Sequence, residues 1–319
     1  AINLNKEVYK LYLLYILIAN ERYIPIDKTG IGAGKIDLKD LKTFKIFVPR
    51  NQKEQQKIAS CLSTFDELIS AHQDKLAALK EHKKGLVQNL FPQEGQKVPN
   101  FRFPEFEGDW KVKPLNQIYF FLINNSFSRD KLNYDNGEVK NLHYGDIHTK
   151  FSTLFDIRNE EVPFINSNIP LNRIDTENYC IQGDIVLADA SEDLNDVGKG
   201  IEITQLNNEK LLSGLHTLLL RQIKPALVVG FAGHLFQSNA VRKQIRKEAQ
   251  GTKVLGISKS RLSNISICHP ENKLEQQKIA SLLTAQDELN AAQEEKIAQL
   301  QKHKKGLLQG LFPQTAAYA

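Results

Sequence analysis

Between residues 242 and 261 the chain carries Arg242, Lys243, Arg246, Lys247, Lys253, Lys259 and Arg261 against the single carboxylate Glu248. Cations at that density suit phosphate neutralisation, which supplies most of the affinity of nucleic-acid binders and makes it salt dependent. The first four sit in a helical run and equally suit a solvated helix face. The following stretch from Gln250 through Thr252 and Ser258 to Arg261 reads either as a connector or as a contact loop. Gly251 and Gly256 would let backbone approach a ligand closely, and Ser258, Lys259 and Ser260 are donors to phosphate or base edges. A second candidate, NLHYGDIHTKF, interleaves Tyr144, His148, Thr149 and Lys150, donor and acceptor types that suit a groove. A third, ADASEDLND at 188–196, is acidic; its carboxylates could accept from a cytosine amino group, but Asp, Ser and Asn are also the usual turn and capping residues.

Enzyme motifs are weak by comparison. GIGAGKID at 30–37 departs from the phosphate-loop pattern, because Thr29 stands where its first glycine belongs and Ile36 follows the lysine. No glycine fingerprint for a cofactor and no Asn or Asp followed by two prolines occurs. His143 and His148 lie five apart and Cys268-His269 stands alone, which is not metal-ligand spacing. PEFEGDWK brings carboxylates near a lysine, yet it falls in a Pro- and Gly-rich linker and reads as structural.

The elements that must position these residues are announced by a repeat. EQQKIAS stands at 54–60 and again at 275–281, and the match continues without insertion to LFPQ, covering roughly 30–93 and 251–314. Each copy has a heptad seam: Ile58, Leu62, Phe65, Ile69, His72, Leu76, Leu79, Lys83, Leu86 and Leu90 in the first, and Ile279, Leu283, Gln286, Asn290, Gln293, Ile297, Leu300, Lys304, Leu307 and Leu311 in the second. The spacing predicts helices over about 52–90 and 273–311, each roughly 58 Å long at 1.5 Å per residue. Paired antiparallel, Ile58 would face Leu311, Leu90 would face Ile279, and Asn290 and Gln293 would fall opposite Leu79 and Leu76.

Between the helices, short apolar runs such as QIYFFLI, GDIVLAD and LHTLLLRQI read as strands, and GHLFQSNAVRKQIRKEAQ reads as a helix. The fold class is therefore α+β, a globular domain joined to two long antiparallel coiled-coil helices. The expected divisions are a domain remnant over 1–50, with a helix at about 6–21 and then IDLKDLKTFKIFVP; a helix over 51–93; a complete domain over 94–272; a helix over 273–314; and a tail over 315–319. Hydrophobic residues make up 41% and charged residues 25% of the 319, which are ordinary globular values, and the net charge of +5 alone says little. LYLLYILIA at 11–19 is too short to span a bilayer. Three unpaired cysteines, Cys61, Cys180 and Cys268, suit a reducing cytoplasm.

The twice-written EQQKIA, the HKKGL and LFPQ helix endings, the FPEFEGDW entry and the QGTKVLGISKSRL exit resemble the specificity subunit of Type I restriction-modification systems over nearly the whole chain. That resemblance implies a non-catalytic reader of double-stranded DNA with two target-recognition domains on paired helices, reading a bipartite target and scaffolding methyltransferase subunits, with restriction and translocase subunits joining through the complex. It implies no cofactor on this chain, S-adenosylmethionine belonging to the partner methyltransferase, and no membrane. By comparison with the second unit, most of the first target-recognition domain is expected to be missing, and self-association would restore two domains. Two other classes stay open: a coiled-coil scaffold that binds no DNA, and a stand-alone DNA-modifying enzyme.

Overall fold

The computed structural model describes residues 8–24 and 44–312. The glycine-rich GIGAGKID stretch and most of IDLKDLKTFKIFVP lie outside the described residues. The helices are α1 (Lys10–Ala19), α2 (Gln52–Leu90), α3 (Tyr144–Thr149), α4 (Phe231–Gln237), α5 (Asn239–Glu248), α6 (Lys259–Leu262) and α7 (Lys273–Leu311). The strands are β1 (Lys111–Pro114), β2 (Tyr119–Phe121), β3 (Leu132–Asn133), β4 (Val139–Leu142), β5 (Leu154–Asp156), β6 (Phe164–Ile165) and β7 (Ile185–Ala188). After them come β8 (Ala190–Ser191), β9 (Gly200–Gln205), β10 (Lys210–Ser213), β11 (Thr217–Gln222), β12 (Leu255–Gly256) and β13 (Ser266–His269). The chain divides into two compact units, residues 1–80 with 288–319, and residues 81–287.

The two copies of the repeat begin their helices in the same way. Asn51 Oδ1 accepts from Lys53 N at 3.0 Å and Asn272 Oδ1 from Leu274 N at 2.9 Å, each satisfying one of the donors that a helix start leaves unpaired. One turn on, Gln55 and Gln276 are buried and make equivalent pairs of bonds. Gln55 accepts from Tyr9 N and donates to Pro49 O, both at 2.8 Å, while Gln276 accepts from Val228 N at 2.8 Å and donates to Pro270 O at 2.7 Å. The repeated letters thus encode a repeated clasp between helix and preceding domain. In residues 81–287 a further clasp is added: buried Glu275 takes two bonds from Arg102, at 2.8 and 2.9 Å, and one from the indole Nε1 of Trp110 at 3.1 Å. PEFEGDWK is therefore a strap on the start of α7, as its linker composition suggests.

Within residues 1–80 and 288–319, α2 and α7 run antiparallel. Phe65 stacks on His303 with centroids 5.1 Å apart, Lys304 pairs with Asp66, and Lys80 with Glu294 at 2.7 Å. Tyr12, Tyr15, Ile16, Ala59, Leu62 and Phe312 form the core of this unit. The expected meeting of Ile58 with Leu311 needs correction: Leu311 is 36% exposed while Phe312, at 3%, takes the buried place, because its ring packs against Tyr12 at 5.3 Å. Gln293 is satisfied by His72, donating to its carbonyl at 2.8 Å and approaching its Nδ1 at 2.7 Å. That is one turn from the expected Leu76, since a seam glutamine gains more from a polar partner than from leucine.

Within residues 81–287 the helix pair continues antiparallel, with His82 Nδ1 3.0 Å from Gln286 Oε1 and Lys83 paired with Asp287. Leu90, Ile279 and Leu283 enter a core with Phe91, Trp110, Phe231 and Ile245. A five-stranded sheet runs β2-β11-β7-β9-β5 and a four-stranded one β10-β4-β6-β3, with β1-β13 and β8-β12 as two-stranded additions. Pairing is antiparallel except for β5 with β9 and β10 with β4. The apolar runs expected as strands are β2, β7 and β11. The single helix expected over GHLFQSNAVRKQIRKEAQ is two, broken where Ser238 is extended (ψ 148°). The break lets α4 lie on β9, where Gly233 N donates to Glu202 at 2.7 Å, while Gln244 of α5 bonds Ser266 at the start of β13. The expected helix at 6–21 is α1, followed by a 3-10 turn over Glu21–Tyr23.

Candidate nucleic-acid interface

Strand register in residues 81–287 decides which distant residues meet. β4 and β10 run in parallel with Leu142 opposite Ser213, so His143 and Tyr144 leave one strand where Gly214 leaves the other. β11 pairs with β7 in the register Thr217 to Ala188, so His216 and Asp189 lie side by side just beyond the strand ends. β8 then pairs with β12, Leu255 opposite Ser191 and Gly256 opposite Ala190. The three stretches singled out in the sequence, at 141–151, 188–196 and 250–261, are thereby brought together, and the acidic one is the bridge between the other two.

In α3, His143 caps the helix by accepting from Gly145 N at 3.2 Å. Tyr144 packs edge-on to His148 and His216, with centroids at 6.1 and 5.3 Å. His148 is half-buried and its Nε2 donates to Ala190 O at 2.9 Å, so this ring supports the site more than it probes it. The Thr149 hydroxyl donates back to Gly145 O at 2.9 Å. Lys150 is exposed, donating to the Tyr134 hydroxyl at 3.1 Å, a bond that raises its pKa above the ordinary value.

The loop Gln250–Gly256 closes on itself, with Gln250 N donating to Gly256 O at 2.9 Å and Gly256 N to Gln250 O at 2.7 Å. Gly251 has φ 137°, and a Cβ there would fall 1.9 Å from Val254 O, so only glycine fits this turn. The closed turn exposes Gln250, Thr252, Lys253 and Val254. Lys253 makes no hydrogen bond or ion pair among the described residues. Ser258 caps α6 through Arg261 N at 3.4 Å; exposed Lys259 donates to Leu122 O at 3.3 Å.

Three of the predicted cations are committed internally. Arg242 is 7% exposed and donates from Nη2 to Asn195 O at 2.6 Å and Val197 O at 2.9 Å; burial pulls its pKa down to about 10. It is a strut under the acidic turn and is removed from the phosphate-contact set, because its burial leaves no face for a ligand. Arg261 pairs with Glu248 at 3.2 Å, and Arg246 donates to Asn195 Oδ1 at 3.1 Å, both part-exposed. In the acidic turn itself, Ser191 Oγ accepts from Asp193 N at 3.0 Å and Asp193 Oδ1 from Asn195 N at 2.8 Å, the turn role its composition allows.

Residues that the sequence reading passed over complete the arrangement. Arg129 forms a two-pronged pair with buried Asp146 at 2.7 and 3.0 Å, which orders the start of α3. Lys199 donates to His148 O at 2.6 Å. His216 is exposed and hydrogen-bonded to Asp189 at 3.2 Å. The one local signal for His216 was SGLHT, a turn between two apolar runs. Among the described residues no group of His, Cys, Asp and Glu could hold a metal ion, and no helix is long and apolar enough to cross a membrane.

The signature of the Type I restriction modification DNA specificity domain matches residues 1–81. A Methanocaldococcus jannaschii chain assigned as the type I restriction enzyme MjaX specificity subunit is 27% identical over 309 residues, 94% of this chain and 66% of the relative. The type I restriction enzyme MjaVIII specificity subunit of the same organism is 28% identical over 316 residues, 95% of this chain and 69% of the relative. The chain thus spans about two thirds of the length of these relatives. Among solved structures, the Type-I restriction-modification system S subunit from M. genitalium aligns with TM-score 0.59 at 14% identity, over 97% of this chain and 74% of that one. A chain from a structure on complex assembly and conformational transition of the type I R-M system aligns with TM-score 0.58 at 14% identity, over 93% and 69%. The sequence signature and the two relatives make this chain similar to the specificity subunits of Type I restriction-modification systems, and the solved structures share its fold.

Proposed function

We propose that this chain is the DNA-reading, non-catalytic subunit of a Type I restriction-modification complex and that residues 81–287 hold one reader domain. The observation that carries this reading is the convergence of α3, the acidic turn and the stretch 250–261, which carry exposed Lys150, Lys253 and Lys259 on the same assembly that holds the Tyr144 and His216 rings. Cations for phosphates flanking ringed and amide side chains for base edges is the division of labour that sequence readers use. Of the predicted contacts, Tyr144, Lys150, Gln250, Thr252, Lys253, Ser258 and Lys259 remain the direct candidates, with Gly251 shaping the loop and His148, Thr149, Arg246 and Arg261 supporting it.

The finer reading is that the target is bipartite with an unread gap, given that a 39-residue helix is about 58 Å long, roughly 17 base-pair steps. Methyltransferase subunits would assemble on the helices, bringing S-adenosylmethionine and the catalysis, restriction subunits would join through that complex, and the assembly would work in the cytoplasm. Titration of fluorescent duplex DNA at several salt concentrations tests the core of the proposal. Affinity should fall linearly on a log-log plot as salt rises. A chain that binds methyltransferase subunits but gives no salt-dependent DNA binding, alone or with them, would be a scaffold instead.

A further inference from the structure

The turn between β10 and β11 holds an exposed histidine in the left-handed backbone region. His216 has φ 54°, a left-handed region uncommon for a non-glycine residue, which His enters more readily than most and Gly at the lowest cost. The backbone there is over-determined. Asp189 N donates to His216 O at 3.0 Å, Asn124 Nδ2 donates to Gly214 O at 3.0 Å, and the Thr217 hydroxyl donates to the same Gly214 carbonyl at 2.5 Å.

The side chain is held as firmly as the backbone. Its ring stands edge-to-face on Tyr144, 5.3 Å between centroids and 78° between planes, and Tyr144 is itself backed by His143 at 4.7 Å. On another edge Nδ1 lies 3.2 Å from Asp189 Oδ1. A carboxylate only accepts, so the proton of the neutral imidazole is on Nδ1. Nε2 then carries a lone pair, and among the described residues it has no hydrogen-bond partner, the side chain being 51% exposed. An oriented, immobilised acceptor beside an aromatic platform, at the meeting point of the three candidate segments, contributes nothing to the core.

We infer that His216 is a base-reading residue, its Nε2 accepting a hydrogen bond from the exocyclic amino group of adenine or cytosine, with Asp189 as the positioning residue that fixes its tautomer. In the major groove those two amino groups are the donors, whereas guanine O6 and N7, thymine O4 and adenine N7 accept. The inference rests on the proposed DNA-reading function and adds the chemical class of one base to it.

The test is selection of the full chain on randomised duplex DNA, followed by sequencing of the bound pool, for wild type, His216→Gly, His216→Ala and Asp189→Asn. Glycine relieves the positive φ, so His216→Gly guards against a folding artefact, and melting curves accompany each variant. The wild type should enrich a motif with adenine or cytosine at one position. Both His216 variants should lose about tenfold discrimination at that position while the others persist. Asp189→Asn is the sharper arm, because an amide can donate to Nδ1 and so move the ring proton to Nε2. A cytosine at that position should then give way to guanine or thymine, and an adenine, whose N7 also accepts, should lose its advantage over them. A wild type that enriches no motif, alone or with methyltransferase subunits added, overturns the DNA-reading proposal itself. A wild-type motif unchanged in all three variants, or loss of preference at every position with melting unchanged, leaves that proposal standing and overturns the role given to His216.

Discussion

The Arg242 guanidinium, buried under the acidic turn, and the Lys253 ammonium, free in solvent, should respond to alanine in opposite ways. Arg242→Ala abandons the carbonyls of Asn195 and Val197 and should destabilise the chain by roughly 2 kcal/mol or more, read as a fall in melting temperature, with little change in the salt dependence of DNA binding by the folded protein. Lys253→Ala should leave melting untouched and reduce the salt slope by about one unit. Equal salt slopes for the two variants would misplace the DNA. Glu202 makes a second prediction at this scale. Its carboxyl is buried beneath α4, and burial raises its pKa to about 7 although Gly233 N donates to it. A raised carboxyl pKa means that the folded chain holds a proton the unfolded chain has already released. Stability should therefore decline as pH climbs from the ordinary carboxyl range through 7 and then level off, by roughly 3 kcal/mol from this group. Glu202→Gln should flatten that part of the curve. Denaturant titrations of both proteins across the range would show it, and an identical decline in the variant would assign the slope to other groups.

At the scale of elements, the paired long helices and their clasps can be tested separately. Gln55 and Gln276 stand at the same place in the two repeats and make the same kinds of bonds, so each change to alanine should cost a similar amount, about 1–3 kcal/mol, by stranding buried backbone groups. A large loss at one and none at the other would mean that the repeated letters do not have a repeated role. For the helix pair, cysteines replacing Phe65 and His303 in one variant, and His82 and Gln286 in another, on a background with the native cysteines changed to serine, should cross-link efficiently. Failure of both pairs would refute the antiparallel register. The α2 and α7 extents follow from uninterrupted heptads and the Phe-Pro stops, information that lies within each helix. The division of α4 from α5 does not, because Ser238 is extended in response to two different packing surfaces, β9 on one side and β13 on the other.

For the whole molecule, the proposed role as the specificity subunit of a Type I system makes a division of labour testable. The purified chain should transfer no methyl group from S-adenosylmethionine to DNA, and transfer should appear on adding cognate methyltransferase subunits. Sequencing the methylated bases in cells that express the two together would give the target. Methylation by the chain alone would revive the reading of a stand-alone enzyme, and a single uninterrupted recognition site would refute the bipartite target.

The repeat, the long helices, the strand runs of the reader domain and the structural role of the FPEFEGDW strap were legible from residue order, because each depends on local periodicity or on punctuation by proline and glycine. The candidate loop at 250–261 was also legible, from its charge and its glycines. What only the tertiary structure decided is which of the charged and ringed residues share a face. Arg242 and Lys253 look alike as letters and differ because one lies beneath the turn at 188–196. His216 and Asp189 are distant in the chain and become neighbours through the register of β7 on β11, just as Tyr144 reaches His216 through that of β4 on β10. Side-chain period is a property of one strand, but register is a property of two, and it is fixed by the summed burial of both sheet faces rather than by any residue at the site.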